Sequence, residues 1–427
     1  VYAPVQIEPK VLESKAGADG FELKVENRYD FQALDGFKLQ WTLRRNLEKV
    51  SEGTLGLKAV AHGAETIKVP ARLPEALAED AYFLELRCLD KAGKSMYERS
   101  VKINTPADGG KRWANLQQAL AVDEPVLKVD EAQITLSQKA WHLAVDRHSG
   151  SSVLVNSQGQ AYITACGPHT ARKLTITESG KHNENIPNYW EGELLSQPKK
   201  LQTSAEKTAE GILIKVSGSY ARPGHPEQSV DGEYRYLAKT NGVLEVSYHY
   251  VPVNAKDSMV EVGFAFAVPA ALSEFRWLGQ GPYASYIGKD RHAEYGVYHL
   301  NREDIYFPGN RRGVEFATLT APTGAGLLLA GDNANISVEH RGPLTLFSHL
   351  AESSSKNSKV KLAEKSAEKD DGVEVKSDFK ASSVKAIEGR FTLVPLQNTW
   401  PQPLERWLGS PNSKVEAFHP FLSSYDQ

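Results

Sequence analysis

Cysteine and methionine are scarce in this chain, whose 427 residues include two of each. Cys88 and Cys166 lie far apart beside apolar, strand-like runs. Neither a disulfide framework nor a zinc site is indicated, and buried free thiols are expected. The chain starts with Val1 rather than methionine, and it shows no basic and apolar leader of a secretion signal. We therefore interpret it as a processed or excised piece. Its cysteine content does not distinguish a periplasmic from a cytoplasmic location.

An excess of positive charge is also missing, because 50 basic and 53 acidic residues give a net charge of −3. Without a basic patch, nucleic acid is not an expected partner. No apolar run reaches the roughly 18–20 residues that cross a bilayer, so no membrane partner is expected either. The sequence contains no phosphate-binding loop, zinc motif or internal repeat, and no cofactor or metal is expected. What remains is an ordinary globular composition, long enough for two or three domains.

Residues 1–106 contain short strand-like segments separated by turns. The clearest is FKLQWTLRRN, in which Phe37, Leu39, Trp41 and Leu43 share one face. Strands at this spacing are typical of a β-sandwich of immunoglobulin-like size, and Trp41 is expected to be its core tryptophan.

The remaining chain divides into three further parts. Residues 107–125 mix paired glycines, charge and a short helical patch, which favours a linker. From 126 to 397 the pattern is again β, with a polar loop over 167–198 and a Ser-, Lys- and Glu-rich excursion over 350–382. Residues 398–427 hold four prolines and two tryptophans, and they are too apolar to form a free tail. We expect this tail to pack on a domain or on a partner.

The stretch from Phe275 to Gly331 organises the second β region. Its first strand is expected to break at Gly279, Gly281 and Pro282, because these residues predict a turn with unusual backbone angles.

Further along this stretch, the segment GVEFATLT alternates as a strand does. The alternation predicts Val314 and Phe316 on one face and Glu315 and Ala317 on the other. A Pro- and Gly-containing turn over 321–325 then leads to the apolar run GLLLAG, which predicts a β-hairpin.

These segments, in this order, resemble the C-terminal small-chain region of glycoside hydrolase family two β-galactosidases. In that family a W/F-x-G-x-G-P-x-x-x-Y element precedes a G-N-R-x-x-V-x-W/F-x-x-L-T element and a G-x-G-L-L element. The matching residues are Trp277, Gly279, Gly281, Pro282, Tyr286, Gly309, Asn310, Arg311, Val314, Phe316, Leu319, Thr320, Gly324, Gly326 and Leu327. The start of the chain is similar to the sandwich that follows the family's catalytic barrel. Its matches are Val1, Tyr2, Pro4, Asn27, Arg28, Tyr29, Asp30, Phe31, Leu39, Trp41 and Leu43.

The resemblance implies an all-β fold, in which an immunoglobulin-like β-sandwich is followed by a large antiparallel β-supersandwich similar to galactose mutarotase. It also implies a parent enzyme whose acid/base and nucleophile lie in a barrel that this sequence lacks. The expected partners are therefore a carbohydrate and the missing N-terminal catalytic barrel region. Most matching residues are expected to be structural, with Asn310 and Arg311 fixing a loop rather than contacting sugar.

Two departures from the family pattern bear on sugar specificity. The family's D-S-W-G/S-P element, which delivers a tryptophan to the galactose site, is not found, and DDGVEVKSDF holds its place. The R-A-P-T/L-D-N-D loop is replaced by GPHTARKLTITESGKHNENIPNYW. The fold expectation is unaffected, but β-galactosidase specificity does not follow from the sequence.

Four aromatic residues are the candidate carbohydrate-binding residues. Sugar rings pack their C–H faces on aromatic side chains, and Tyr189, Trp190, Trp400 and Trp407 lie in irregular segments where such faces can be presented.

Catalytic candidates within this chain are few, and no residue is assigned a catalytic role. Glu184 and Glu191 flank aromatic residues and are one hypothesis for a hydrolytic carboxylate pair, with a solvated loop as the alternative. His142, His249 and His299 lie on predicted strands near acidic residues, the combination that a sugar epimerase uses as acid and base. A structural or surface position is the alternative for each histidine.

The function that these patterns favour is a C-terminal accessory region of a β-galactosidase-like glycoside hydrolase. It would support the absent barrel and shape carbohydrate binding, and this chain alone is expected to be inactive. Two alternatives stay open. A free-standing carbohydrate-binding module would need an exposed aromatic platform, and a mutarotase-like epimerase would need a His–Glu pair in a concave groove.

Overall fold

The computed structural model describes residues 3–74, 79–105, 110–169, 197–222, 225–254, 263–285, 292–305, 309–338, 344–347 and 386–415. Almost all regular structure in these ranges is β-sheet, which confirms the predicted fold class. No helix in the described ranges is long and apolar enough to span a membrane.

Eight strands form the first region, as two facing sheets of order β1-β3-β6 and β2-β8-β7-β4-β5. The strands are β1 (Val5–Glu8), β2 (Val11–Glu13), β3 (Asp19–Asn27), β4 (Lys38–Arg45), β5 (Glu48–Gly56), β6 (Ala64–Arg72), β7 (Tyr82–Leu89) and β8 (Ser95–Asn104). Every pairing is antiparallel except β2 with β8. Leu39, Trp41 and Leu43 of β4 point into the shared core, as the alternation predicts. Trp41 is 6% exposed and belongs to this core.

A helix, α1 (Gly110–Ala119), leads from the first region into the second. The second region contains a five-stranded sheet of order β13-β12-β11-β10-β9, built from neighbouring hairpins. Its strands are β9 (Val126–Val129), β10 (Gln133–Gln138), β11 (Trp141–Asp146), β12 (Ser152–Asn156) and β13 (Ala161–Ile163). Their apolar residues pack on a larger sheet and form one continuous core with it.

Twelve strands make the larger sheet, whose main path is β14-β19-β24-β23-β25-β18-β17-β16-β15. Strands β20, β21 and β22 join it through the pairing of β22 with β23. The strands are β14 (Ala165–His169), β15 (Gln197–Thr208), β16 (Gly211–Arg222), β17 (His225–Ala238), β18 (Leu244–Val253), β19 (Gly263–Ala267), β20 (Glu274–Gly281), β21 (Glu294–Asn301), β22 (Asn310–Thr320), β23 (Gly326–Val338), β24 (Leu344–Phe347) and β25 (Ile387–Leu396). A short 3-10 helix, Arg302–Asp304, follows β21.

The hairpin predicted around residues 321–325 is present, because β22 and β23 pair directly with Thr320 opposite Gly326. The predicted faces of β22 are wrong at one point. The register shifts between Val314 and Phe316, so Val314 lies in the core of the second region while Phe316 lies in a different cluster. A β-bulge adds one residue to a strand and re-aims the side chains around it. Strict alternation therefore could not assign these faces.

The predicted strand break is found at Pro282, directly after the end of β20, but it is wrong at Gly279 and Gly281. β20 continues through both glycines, which pair with Gly296 and Glu294 of β21, and neither has a positive φ. A Cβ on Gly281 would lie 2.7 Å from Cδ2 of Tyr298 and 2.8 Å from Cζ2 of Trp277. Close approach of aromatic rings, and not an unusual turn, requires glycine here.

The C-terminal segment contains a second helix, α2 (Gln402–Leu408). Leu404, Trp407 and Leu408 of this helix are buried. The described part of the tail thus packs on the rest of the chain.

Candidate functional site at the junction of the two β regions

A hydrophobic cluster, called here the junction cluster, joins the two β regions with α1 and α2. Its buried members come from the first region, α1, the second region and the tail. They are Ala81, Phe83, Leu116, Val243, Leu278, Tyr295, Val297, Phe316, Leu328, Ala330, Val394, Leu396, Trp400, Leu404, Trp407 and Leu408. Phe83 of β7 meets Tyr295 of β21 edge to face at 6.1 Å, and Trp407 stacks on Phe316 at 4.9 Å. The two β regions therefore share an apolar interface, and the tail is part of it.

Glu315 lies at the centre of the polar part of this junction. Its carboxylate accepts hydrogen bonds from Nε of Arg112 at 3.1 Å, Nζ of Lys102 at 2.9 Å and the Tyr295 hydroxyl at 2.7 Å. Arg112 is fully buried in α1 and also donates to the carbonyl of Asp80 at 3.1 Å. One carboxylate thus ties together β8, α1, β21 and β22.

Electrostatics at Glu315 favour the ionised carboxylate. Burial alone would raise the pKa of Glu315, but the Arg112 and Lys102 cations outweigh it and hold the pKa below its usual value. A buried charge that is paired and hydrogen-bonded on every side stabilises one geometry and penalises the loss of any partner. The network is suited to fixing the relative orientation of the two regions.

A second carboxylate, Glu294 of β21, faces β8 and is 4% exposed. It accepts a hydrogen bond from the backbone N–H of Ser100 at 3.0 Å, and Nε of Arg99 lies 3.8 Å away. The Ser100 hydroxyl donates to the carbonyl of Tyr295 at 2.6 Å, so the same pair of strands is joined twice. Burial raises the pKa of Glu294 to about 7, although Arg99 and the Ser100 N–H act in the opposite direction. This contact changes its charge near neutral pH.

The tail is held by two further polar groups. Asp80 of the first region accepts a hydrogen bond from Nδ2 of Asn46 at 2.7 Å and forms an ion pair with Nε of Arg406 in α2 at 2.9 Å. Arg276 of β20 donates to backbone carbonyls of Ser410 at 2.7 Å and of Pro411 at 2.8 Å. These contacts fasten α2 to the first region and the residues after α2 to the second region.

Two of the four candidate sugar-binding aromatics, Trp400 and Trp407, lie in the junction cluster. Trp400 is 6% exposed and donates from Nε1 to the carbonyl of Gly324 at 2.8 Å, whereas Trp407 is fully buried. Neither indole offers an open face to a sugar in this arrangement. Tyr189 and Trp190 lie outside the described residues, as do the candidate carboxylates Glu184 and Glu191. Contact of any of the four aromatics with carbohydrate stays a prediction.

The three strand histidines have different surroundings. His142 is exposed on β11. His249 and Glu388 form an exposed pair at 3.1 Å, and Nε2 of His299 lies 2.6 Å from Glu274. In both pairs the imidazole and the carboxylate bond to each other, whereas an epimerase holds its acid and base on either side of a sugar. The geometry therefore gives the epimerase alternative no support.

The cysteines and the family's loop residues have structural surroundings. Cys88 and Cys166 are free and buried, as predicted, and burial raises the pKa of Cys88 to about 12. Asn310 donates to the carbonyl of Ser285 at 3.1 Å, and Arg311 donates to the carbonyl of Gly309 at 2.5 Å. In the described ranges no group of three or more His, Cys, Asp or Glu side chains is placed to hold a metal ion.

Sequence reasoning missed the charged residues of the junction. Arg276 and Glu315 each stand between two apolar residues of a strand, and Glu294 begins a strand beside Ala293 and Tyr295, which is a visible signal of a buried ion pair or hydrogen bond. Their partners were not visible, because Arg112 and Glu315 are 203 residues apart. Arg112 itself fell in the expected linker, where charge normally indicates solvent exposure.

Two known protein families match this chain. The family described as "Beta galactosidase small chain" matches residues 137–382, more than half of the chain, and "Beta-galactosidase, domain 4" matches residues 23–107. The chain belongs to the β-galactosidase small chain family, with a β-galactosidase domain 4 before it. The resemblance to β-galactosidases drawn from the sequence is confirmed.

Three curated β-galactosidases show the same similarity. The protein of Priestia megaterium is 23% identical over 328 residues, covering 72% of this chain and 30% of its own length. Those of Pectobacterium atrosepticum and Pseudoalteromonas haloplanktis are 19% and 20% identical, each over 67% of this chain and 29% of their own length. The chain therefore spans about 30% of the length of these relatives. Among solved structures, the E. coli chaperone DraB aligns with 37% of this chain and with 92% of the DraB chain. The two are 9% identical, and the TM-score is 0.18.

Proposed function

We propose that this chain is the non-catalytic part of a β-galactosidase-like glycoside hydrolase. Its two β regions and its tail form one rigid support for a catalytic barrel supplied by the rest of the parent protein, and they shape carbohydrate binding there. Residues 1–106, 107–125, 126–397 and 398–427 are the proposed division into sandwich, connector, supersandwich and tail. The supporting observation is the junction: two neighbouring regions, each matched by a β-galactosidase domain, are joined by a buried network centred on Glu315.

A rigid support matters for this chemistry because glycoside hydrolysis needs two carboxylates at a fixed separation of about 5–5.5 Å or about 6.5–9.5 Å. Small displacements of a catalytic group lower rates strongly. A cleft wall that carries substrate contacts therefore has to keep its position relative to the barrel. A buried, fully paired junction gives this part of the enzyme such a fixed geometry.

The proposal predicts that the purified chain alone hydrolyses no nitrophenyl glycoside. Sugar binding without a positioned acid and nucleophile gives no hydrolysis. The assay uses nitrophenyl derivatives of several sugars, with Glu184→Gln and Glu191→Gln variants in parallel. Turnover that persists through purification and disappears in either variant would contradict the proposal and make residues 167–198 an active-site loop.

A second experiment tests the parent protein. Gene length and intact mass are compared with this chain, and any additional N-terminal part is produced separately and mixed with it. We expect glycosidase activity on mixing. The same mixture prepared with Glu315→Gln should recover less activity, since the support is loosened while the barrel is unchanged. Full activity of the N-terminal part alone would argue against a supporting role.

A further inference from the structure

A surface groove of about 430 Å³ lies between three turns of the second region. Its walls are the β12–β13 turn, the β22–β23 turn and the segment that follows β25. Its volume falls within the range of roughly 300–1,000 Å³ that is usual for small-molecule sites. It is called here the amide groove.

The lining of the amide groove is neutral and rich in hydrogen-bonding groups. Its five carboxamides are Asn156, Gln158, Gln160, Gln397 and Asn398. Asn156 donates to Gln160, and Gln397 donates to the carbonyl of Ala140, so the exposed carboxamides of Gln158 and Asn398 are the ones presented to a ligand. Thr323 and Thr399 add hydroxyls, and no charged side chain lines the groove. A carboxamide offers two N–H donors and a carbonyl acceptor, and a sugar hydroxyl both donates and accepts. A ligand with many neutral hydroxyls therefore complements this lining better than a carboxylate or a phosphate, which binds best to arginine or lysine.

The walls of the groove are held in place by internal hydrogen bonds. Oδ1 of Asn156 accepts from the N–H groups of Gln158 at 3.0 Å and Gln160 at 2.9 Å, which fixes the first turn. The Tyr162 hydroxyl donates to the carbonyl of Leu396 at 2.7 Å and holds the first turn beside the end of β25.

The other two walls are fixed in the same way. Nε2 of Gln397 donates to the carbonyl of Ala140 at 3.0 Å, and Nε1 of Trp400 donates to the carbonyl of Gly324 at 2.8 Å. Trp400 thus positions the groove from beneath. A backbone held in this way loses little conformational entropy when a ligand binds, so the ordering cost is confined to the exposed side chains.

The side chains at the rim are accessible. Gln158, Thr323, Asn398 and Thr399 are exposed, so their amide and hydroxyl groups face solvent where a ligand would enter. Because these residues come from three different turns, a ligand of mono- or disaccharide size can contact all three at once.

We propose that the amide groove is a carbohydrate-binding site for neutral saccharides. It binds a mono- or disaccharide unit through hydrogen bonds from the exposed carboxamides of Gln158 and Asn398 and the exposed hydroxyls of Thr323 and Thr399, without aromatic stacking and without metal. Such a site would hold a glycan chain on the second β region. The choice of galactosides as probes rests on the proposed function, whereas the preference for neutral saccharides rests on the lining alone.

A second groove provides a matched control. It measures about 740 Å³ and is lined by charged side chains, among them Glu131, Arg147 and Lys215, together with Gln202. A Gln202→Ala change removes an exposed carboxamide of the same kind from a different place on the same region.

The test measures binding to the complete chain by isothermal titration calorimetry and saturation-transfer NMR. The probes are galactose, lactose, galacturonate and glycerol. We expect saturable binding of lactose with a Kd on the order of 1 mM, as a few neutral hydrogen bonds provide. We expect Gln158→Ala combined with Asn398→Ala to weaken it about tenfold, since each lost neutral hydrogen bond costs about 0.5–1.5 kcal/mol. Gln202→Ala should leave the Kd unchanged, and thermal melts confirm that all variants fold.

Three results would overturn the proposal. The first is that neither galactose nor lactose binds saturably. The second is that Gln202→Ala weakens lactose binding as much as the Gln158→Ala and Asn398→Ala double change does. The third is that galacturonate binds more tightly than galactose. Binding of glycerol as tight as that of lactose would also overturn it, because the groove would then recognise any polyol. None of these results bears on hydrolysis or on mixing with an N-terminal part, so the groove and the proposed function fail separately.

Discussion

At the scale of single residues, glycine in this protein serves close packing as well as turn formation. Gly281 is the last residue of β20 and still pairs with β21, and Trp277 and Tyr298 occupy the space that a Cβ would need. The sequence showed that glycine mattered at this position, but it suggested the wrong reason. Both an unusual turn and a close aromatic contact require glycine, so the sequence does not show which of the two is present.

Gly281→Ala is expected to destabilise the chain by about 1–3 kcal/mol, the usual cost of forcing extra atoms into a packed site. Gly56→Ala is the control, because a Cβ at Gly56 meets nothing within 4 Å and the residue has no positive φ. Urea unfolding of both variants measures the difference. Equal unfolding midpoints for Gly281→Ala and wild type would contradict the packing argument.

Glu315→Gln is expected to destabilise the chain by about 3–5 kcal/mol, since it leaves the buried Arg112 cation without its counter-charge. Glu52→Gln is the matched control, because Glu52 pairs with Lys49 at 2.9 Å and both side chains are more than half exposed. Exposed pairs contribute about 0–1 kcal/mol, so the control should unfold nearly as wild type does. A small loss in both variants would mean that the junction network contributes little.

At the scale of secondary-structure elements, strand β21 carries a pH-sensitive contact with β8. The charged groups around Glu294 are Arg99, Lys10 and Glu8. The folded-state pKa of about 7 lies above the ordinary glutamate value of about 4.3, so the fold favours the protonated carboxyl. Its contribution to stability is fully present below the unfolded-state pKa. It is lost as the pH rises through about 7.

Because Glu294 ionises in this range, the free energy of unfolding is expected to fall as the pH rises from about 5 to about 8. Glu294→Gln removes the titrating group and should flatten the profile in that window. Denaturant titrations at half-unit pH intervals measure both profiles. A wild-type profile that rises between pH 5 and 8, or an unchanged slope in Glu294→Gln, would contradict the assignment.

The elements also show where sequence patterns stop being informative. Alternation placed Leu39, Trp41 and Leu43 correctly, because a half-buried strand repeats every two residues. It failed at Val314 and Phe316, because a bulge depends on the partner strand and not on local sequence. In the same way, α1 was recognised only as a helical patch in a linker. The burial of Arg112 and Leu116 depends on β22 and α2, which lie far away in sequence.

At the scale of the whole molecule, the junction cluster is expected to couple the two β regions into one cooperative unit. Differential scanning calorimetry should show a single transition for the wild type, because neither region can separate without exposing the cluster and the Glu315 network. Trp407→Ala removes a fully buried indole from the cluster but leaves both sandwich cores intact. We expect its transition to split in two.

Trp141→Phe provides the comparison, because Trp141 lies in the core of the second region and not in the junction. It should lower the transition temperature without splitting the peak. Two separate transitions in the wild type would show that the regions unfold independently.

The placement of the buried tryptophans makes the three apolar clusters optically distinguishable. Trp41 reports on the core of the first region, Trp141 and Trp277 on that of the second, and Trp400 and Trp407 on the junction. An indole that leaves an apolar environment for water shifts its emission to longer wavelength. Stopped-flow fluorescence of single-tryptophan variants would therefore measure the rate at which each cluster forms during refolding. The protein carries its own set of probes for the order in which its parts come together.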